Sequence, residues 1–101
     1  MTVWINVCKF DEVEEGKART VSANEKLLAL FKSEGKVYAL DNSCPHRGGP
    51  LGEGHLEGME VTCPWHAWSF NIKTGACESM PGMKQTTFPT KVEKGEVWVE
   101  I

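Results

Sequence analysis

Two short segments constrain this chain more than anything else in it: Cys44-Pro45-His46 and Cys63-Pro64-Trp65-His66, separated by residues 47–62. Each joins a thiol and an imidazole through a proline, which fixes φ and stiffens the loop just after its Cys. A fold that uses both must bring two loops together at one place on a rigid body. With only four Cys and three His in the chain, a doubled Cys-Pro-…-His unit argues for a metal rather than for chance. The order departs from that of zinc fingers, which place both Cys first, as C-x₂₋₄-C, and both His later, as H-x₃₋₅-H. Here it is Cys-x-His and then Cys-x₂-His. In an extended loop, residues i and i+2 face the same side about 6.6 Å apart, at roughly 3.3 Å rise per residue. That separation suits two ligands reaching different metal atoms better than two gripping one small ion. A structural zinc module, and buried Cys with surface His and no metal, remain as lesser alternatives.

The residues around the ligands carry a more specific likeness. Cys44-Pro45-His46-Arg47-Gly48-Gly49-Pro50-Leu51 and Cys63-Pro64-Trp65-His66-Ala67-Trp68-Ser69-Phe70-Asn71 resemble the two cluster-binding loops of Rieske-type ferredoxins. Gly52, Gly54 and Gly58 between the loops, and Thr74-Gly75 after them, also fit that pattern, and the likeness runs along nearly the whole chain. It implies one [2Fe–2S] cluster per chain, with Cys44 and Cys63 on the inner iron and His46 and His66 on the outer, more exposed one. Neutral imidazoles in place of thiolates make such a cluster easier to reduce: about −150 to +300 mV, against about −400 mV for plant-type ferredoxins. Glycines beside the ligands let backbone N–H groups approach the sulfurs, which raises the potential further.

Departures from the respiratory branch of the family are informative. That branch has an extra Cys in each loop, joined as a disulfide; the corresponding residues here are Gly49 and Trp65. It also places Ser and Tyr hydroxyls where this chain has Trp68 and Phe70. Fewer donors to the cluster imply a potential toward the lower end of the Rieske range. The resemblance is therefore to the soluble, low-potential, oxygenase-associated type.

Composition fits a small carrier. The chain has 101 residues, 41% hydrophobic and 25% charged, which reads as a single globular domain over residues 1–101. A net charge of −3 and a pI near 5.6 argue against nucleic acid or an anionic membrane as partner. The segment Met1-Thr2-Val3-Trp4-Ile5-Asn6-Val7-Cys8 has neither a basic start nor a long apolar run, so no signal peptide or anchor is expected and the cytoplasm is the default location. Cys8 and Cys77 are left over from ligation and read as buried, inert thiols, with a disulfide disfavoured in a reducing compartment. His55 reads as a surface residue without a metal role.

Alternating and apolar runs give strands at residues 3–7, 19–21, 26–32, 37–40, 59–62, 68–71, 91–93 and 97–101. Ser33-Glu34-Gly35-Lys36 is a hairpin turn, and Lys94-Gly95-Glu96 divides the last two strands. Asp11-Glu12-Val13-Glu14-Glu15-Gly16 reads as a short acidic turn or half-helix ending at Gly16, with its carboxylates in solvent. No long amphipathic helix is offered. The expected fold is all-β, a Rieske-type antiparallel sandwich or barrel with both ligand loops at one end. Met80-Pro81-Gly82-Met83 falls where the family has a third loop covering the cluster. Trp65 and Trp68 are expected either to shape a docking surface or to pack.

The chain is not expected to be an enzyme by itself. With His46 and His66 used, only His55 remains, one histidine short of the 2-His-1-carboxylate triad of an oxygenase iron. No G-x-G-x-x-G dinucleotide fingerprint occurs, so no direct hydride acceptance from NADH is expected. The resemblance implies a monomeric one-electron shuttle. Its donor would be a flavin-dependent NAD(P)H reductase and its acceptor a terminal oxygenase, most familiarly one that hydroxylates aromatic rings. The small Rieske-like subunit of a nitrite reductase is the alternative.

Overall fold

The computed structural model describes residues 2–44, 49–65, 68–78, 80 and 82–101. In chain order its strands are β1 (Trp4–Lys9), β2 (Ala18–Ala23), β3 (Lys26–Ser33), β4 (Lys36–Asp41), β5 (His55–Glu57), β6 (Glu60–Thr62), β7 (Ser69–Asn71), β8 (Thr87–Phe88), β9 (Thr90–Glu93) and β10 (Glu96–Glu100). Short 3-10 turns lie at Phe10–Glu12 and Leu51–Glu53. The strands form three antiparallel sheets, ordered β1-β10-β9, β2-β3-β4-β8 and β5-β6-β7. The architecture is the all-β arrangement expected.

β3 organises the molecule. Its run Leu28-Ala29-Leu30-Phe31 is wholly buried, an unbroken apolar stretch rather than an alternating one, because both faces of the strand are covered. Leu28 and Leu30 point into a core shared with Val13, Val21, Val37, Ala39, Val97 and Val99, between the first two sheets. Ala29 and Phe31 point the other way, into a second core with Leu40, Leu51, Leu56, Val61, Phe70 and Ile72. That second core binds the small β5-β6-β7 sheet to the body, and it contains Cys44, Cys63 and Cys77.

Tight connections set the register. Residues 24–25, 34–35 and 94–95 all have positive φ, 51° and 66°, 54° and 76°, and 52° and 77°. These are the left-handed pairs of a two-residue hairpin whose twist matches that of the flanking strands. Glu34 pays no isolated penalty there, because the Glu15 carboxylate accepts the N–H groups of Glu34 and Gly35 at 2.8 and 3.0 Å.

The acidic segment thus differs from its expectation. Its 3-10 turn spans Phe10–Glu12 rather than running to Gly16, and the next residue, Val13, is fully buried. Glu15 clamps a turn, and the Glu12 carboxylate accepts the Lys9 N–H at 2.8 Å. Two strands, β5 and β8, were not expected. β5 turns only Leu56 inward, and β8 is two residues long, so neither carries enough periodicity to be read from sequence.

Candidate iron–sulfur site

Both ligand loops grow from paired backbone. At the first, Leu51 N–H donates to Asn42 O at 2.8 Å, Ser43 bridges Pro50, and Cys44 N–H donates to Gly49 O at 2.9 Å. The buried Asn42 side chain completes this stem: its Oδ1 accepts the Gly52 N–H at 2.7 Å. Gln85, also buried, anchors the stem from the opposite side of the chain, donating Nε2 to Asp41 O at 2.9 Å and Ser43 O at 2.6 Å. Gly52 admits no side chain, since a Cβ would collide with Thr20 Oγ1 and come within 2.9 Å of the Thr20 backbone. The second loop continues the β6–β7 hairpin. Cys63 N–H donates to Trp68 O at 2.8 Å, and the hydroxyls of Thr62 and Ser69 meet at 3.1 Å.

These stems deliver Cys44 and Cys63 to one packed cluster, 2% and 1% exposed. None of the four cysteines forms a disulfide. A thiolate buried this deeply is costly unless an opposite charge compensates it, and a metal centre supplies that charge. Next to the Cys63 sulfur stands Gly49, where an added Cβ would lie only 2.7 Å from Cys63 Sγ. Only a glycine fits there, because the Cys63 sulfur and the Trp65 ring already occupy the space that a side chain would take. Two buried thiols in one apolar cluster with Leu51, Val61 and Phe70 have the donor chemistry of a sulfur-bridged iron cluster. His46 and His66 lie outside the described residues, as do Pro45, Arg47, Gly48 and Ala67. Among the described residues no group of three or more His, Cys, Asp or Glu gathers.

The other singled-out residues separate clearly. Met83 packs against the cysteine-bearing core, and its N–H donates to Met80 O at 3.2 Å. Met80 is 44% exposed, and Pro81 between them lies outside the described residues. Trp68 packs against the same core, whereas Trp65 is 59% exposed. His55 is exposed on β5, with its imidazole 3.6 Å from the Glu57 carboxylate. Cys77 is buried as expected; Cys8 is only half-buried, on β1 against the other core. Burial pushes the Cys8 thiol pKa up, opposed by the Arg19 guanidinium and assisted by the Glu12 carboxylate. Asn42 and Gln85 escaped sequence reasoning. Asn42 sits in a polar Asp41-Asn42-Ser43 run that reads as an ordinary turn, and nothing local distinguishes Gln85.

Comparison with known proteins places this geometry in a class. The Rieske [2Fe-2S] domain model matches residues 3–93. The chain belongs to the Rieske [2Fe–2S] family and carries one [2Fe–2S] cluster, which makes it a one-electron carrier. It is 36% identical over 99 residues to the ferredoxin component of the naphthalene 1,2-dioxygenase/salicylate 5-hydroxylase systems of a Ralstonia species, covering 97% of this chain and 95% of that protein. A chain in the solved complex of reduced oxygenase and oxidised ferredoxin of carbazole 1,9a-dioxygenase superposes with a TM-score of 0.88 at 32% identity, covering 96% of this chain and 92% of that one. The NADH-dependent nitrite reductase small subunit structure from Mycobacterium tuberculosis superposes at 0.91 with 24% identity, over 100% of this chain and 96% of that one. At that identity the likeness is one of fold alone. No helix among the described residues is long and apolar enough to cross a membrane.

Proposed function

We propose that Cys44 and Cys63 hold the inner iron of the cluster and His46 and His66 the outer iron, within one domain spanning residues 1–101. The chain then works as a monomeric cytoplasmic ferredoxin between a flavin-dependent NAD(P)H reductase and a terminal oxygenase of the aromatic-ring-hydroxylating type. The observation that carries this reading is the delivery of two deeply buried thiols, from two separate stems, into one core. When bound, the cluster accepts and releases a single electron. The protein's own part is to keep the thiolates out of water, hold both loops at fixed spacing, and leave the loop end of the body accessible to partners.

The oxygenase reading is favoured over the nitrite reductase one because the oxygenase-system relative matches at 36% identity over nearly its whole length, whereas the nitrite reductase likeness is confined to fold. The net charge of −3 suits basic docking patches on both partners, with transfer rates that fall as salt rises.

The test is analysis of iron and acid-labile sulfide in protein isolated without air, then of Cys44→Ala, His46→Ala, Cys63→Ala and His66→Ala. Two irons and two sulfides per chain, a red-brown colour and a rhombic EPR signal after dithionite are expected in the parent, and loss of all three in each variant. A colourless zinc-containing protein would overturn the assignment. Electron delivery from purified reductases, and onward to candidate oxygenases or a nitrite reductase, separates the two partner systems.

A further inference from the structure

Trp65 presents an anomaly for a residue set between two proposed ligands. It is 59% exposed, the most exposed of the large apolar side chains among the described residues. Yet its ring is not loose. A Cβ on Gly49 would lie 3.1 Å from Trp65 Cγ and 3.2 Å from Cδ2, so the indole occupies the side of Gly49 on which a side chain would stand. The same Cβ position is 2.7 Å from Cys63 Sγ. Both the sulfur and the indole of the second loop therefore crowd the same side of Gly49. Its own carbonyl accepts the Cys44 N–H at 2.9 Å, closing the first loop.

We infer that Trp65 and Gly49 form a non-covalent clasp that holds the two ligand loops together, with Trp65 acting as a positioning residue for Cys44 and Cys63. The physical logic is that the hydrogen bonds named for each stem run within its own loop. The pairing of Asn42 with Leu51 and Gly52 tethers the first, and the pairing of Cys63 with Trp68 tethers the second. Neither set of hydrogen bonds crosses between the loops. The indole on Gly49 does cross, and it needs glycine on one side and a large flat ring on the other. An aromatic ring supplies wide contact area at the cost of few torsions, which makes it an efficient closure where no covalent tie exists. The outer face of the ring stays in water, so the clasp opens without disturbing the core, and its contribution is local to the loops.

This inference rests on the proposed ligand loops, but its decisive readout does not need the cluster. Hydrogen exchange, followed by mass spectrometry on the protein as isolated, reports the peptide carrying residues 43–51. Trp65→Ala should raise exchange in that peptide about tenfold, a loss of about 1.4 kcal/mol of local protection, while peptides from β3 stay unchanged. Trp65→Phe, which keeps a flat ring, should restore most of the protection. In parallel, loss of visible absorbance under chelator and air should run several-fold faster in Trp65→Ala than in the parent. Gly49→Ala should accelerate it as well, since its Cβ presses on both the Cys63 sulfur and the indole. Unchanged exchange in residues 43–51 of Trp65→Ala overturns the clasp, whatever the iron content. Iron-free parent protein with the exchange effect intact would instead remove the ligand assignment and leave the clasp standing.

Discussion

Removal of the Asn42 amide should cost this protein a large share of its stability. Asn42 Oδ1 accepts the Gly52 N–H at 2.7 Å in a fully buried setting, and the Thr20 hydroxyl approaches the same oxygen at 3.4 Å. In Asn42→Ala the Gly52 N–H has no replacement. Asn42 and Gly52 are both buried, so the orphaned N–H stands away from bulk water. An orphaned buried donor costs about 1–3 kcal/mol, and the long Thr20 contact adds little, for a total of about 2–3 kcal/mol. Domains of this size have about 5–15 kcal/mol in all. At about 4–8 °C per kcal/mol, the melting temperature should fall by roughly 10–20 °C. The assay is thermal unfolding followed by far-UV circular dichroism, at matched iron content, because ligand bound to the folded state alone adds its own stabilisation. Thr20→Ala is the control, losing only the 3.4 Å contact, and should stay within about 1 kcal/mol of the parent. An Asn42→Ala protein melting within about 3 °C of the parent, or level with Thr20→Ala, would refute the claim that this bond closes the stem.

Two further outcomes are expected. Phe70 is fully buried in the core that contains Cys44 and Cys63, at the position where the high-potential branch of the family carries a tyrosine. Phe70→Tyr should raise the midpoint potential by about 40 mV if its hydroxyl donates one ordinary hydrogen bond of about 1 kcal/mol to the reduced cluster. A potentiometric titration with no upward shift, in a variant of unchanged spectrum, would place the hydroxyl elsewhere. Cys8 has its pKa raised above 9.0, chiefly by burial. The folded state therefore holds that proton more tightly than the unfolded chain does. Its stabilising effect is complete below pH 9 and is lost as pH climbs through the raised value. Cys8→Ala should flatten the alkaline decline seen in urea unfolding, and parallel curves for the two proteins above pH 9 would contradict this.

Several elements were legible because their cause is local. Glu34-Gly35 and Lys94-Gly95 each end in a glycine, for which positive φ carries no Cβ penalty, and both pairs take the positive φ that a two-residue hairpin demands. The apolar run at residues 26–32 reads as a strand, and the structure shows its two faces meeting different cores. β5 and β8 escaped for the opposite reason. Leu56 alone anchors β5, and β8 is held by pairing of Thr87 and Phe88 with Leu40 and Ala39 on β4, partners almost fifty residues away.

The same division runs through the site. Thiol and imidazole are properties of Cys44, His46, Cys63 and His66 wherever they stand, and their doubled spacing is what points to the mixed-ligand cluster proposed for them. Only tertiary structure decides what makes those donors usable: the burial of both sulfurs, the Gln85 tether across more than forty residues, the Asn42 bond to Gly52, and the indole of Trp65 seated on Gly49. Ligand identity is carried by single residues, whereas burial and closure come from pairs distant in sequence, and no local pattern records which distant residue will arrive.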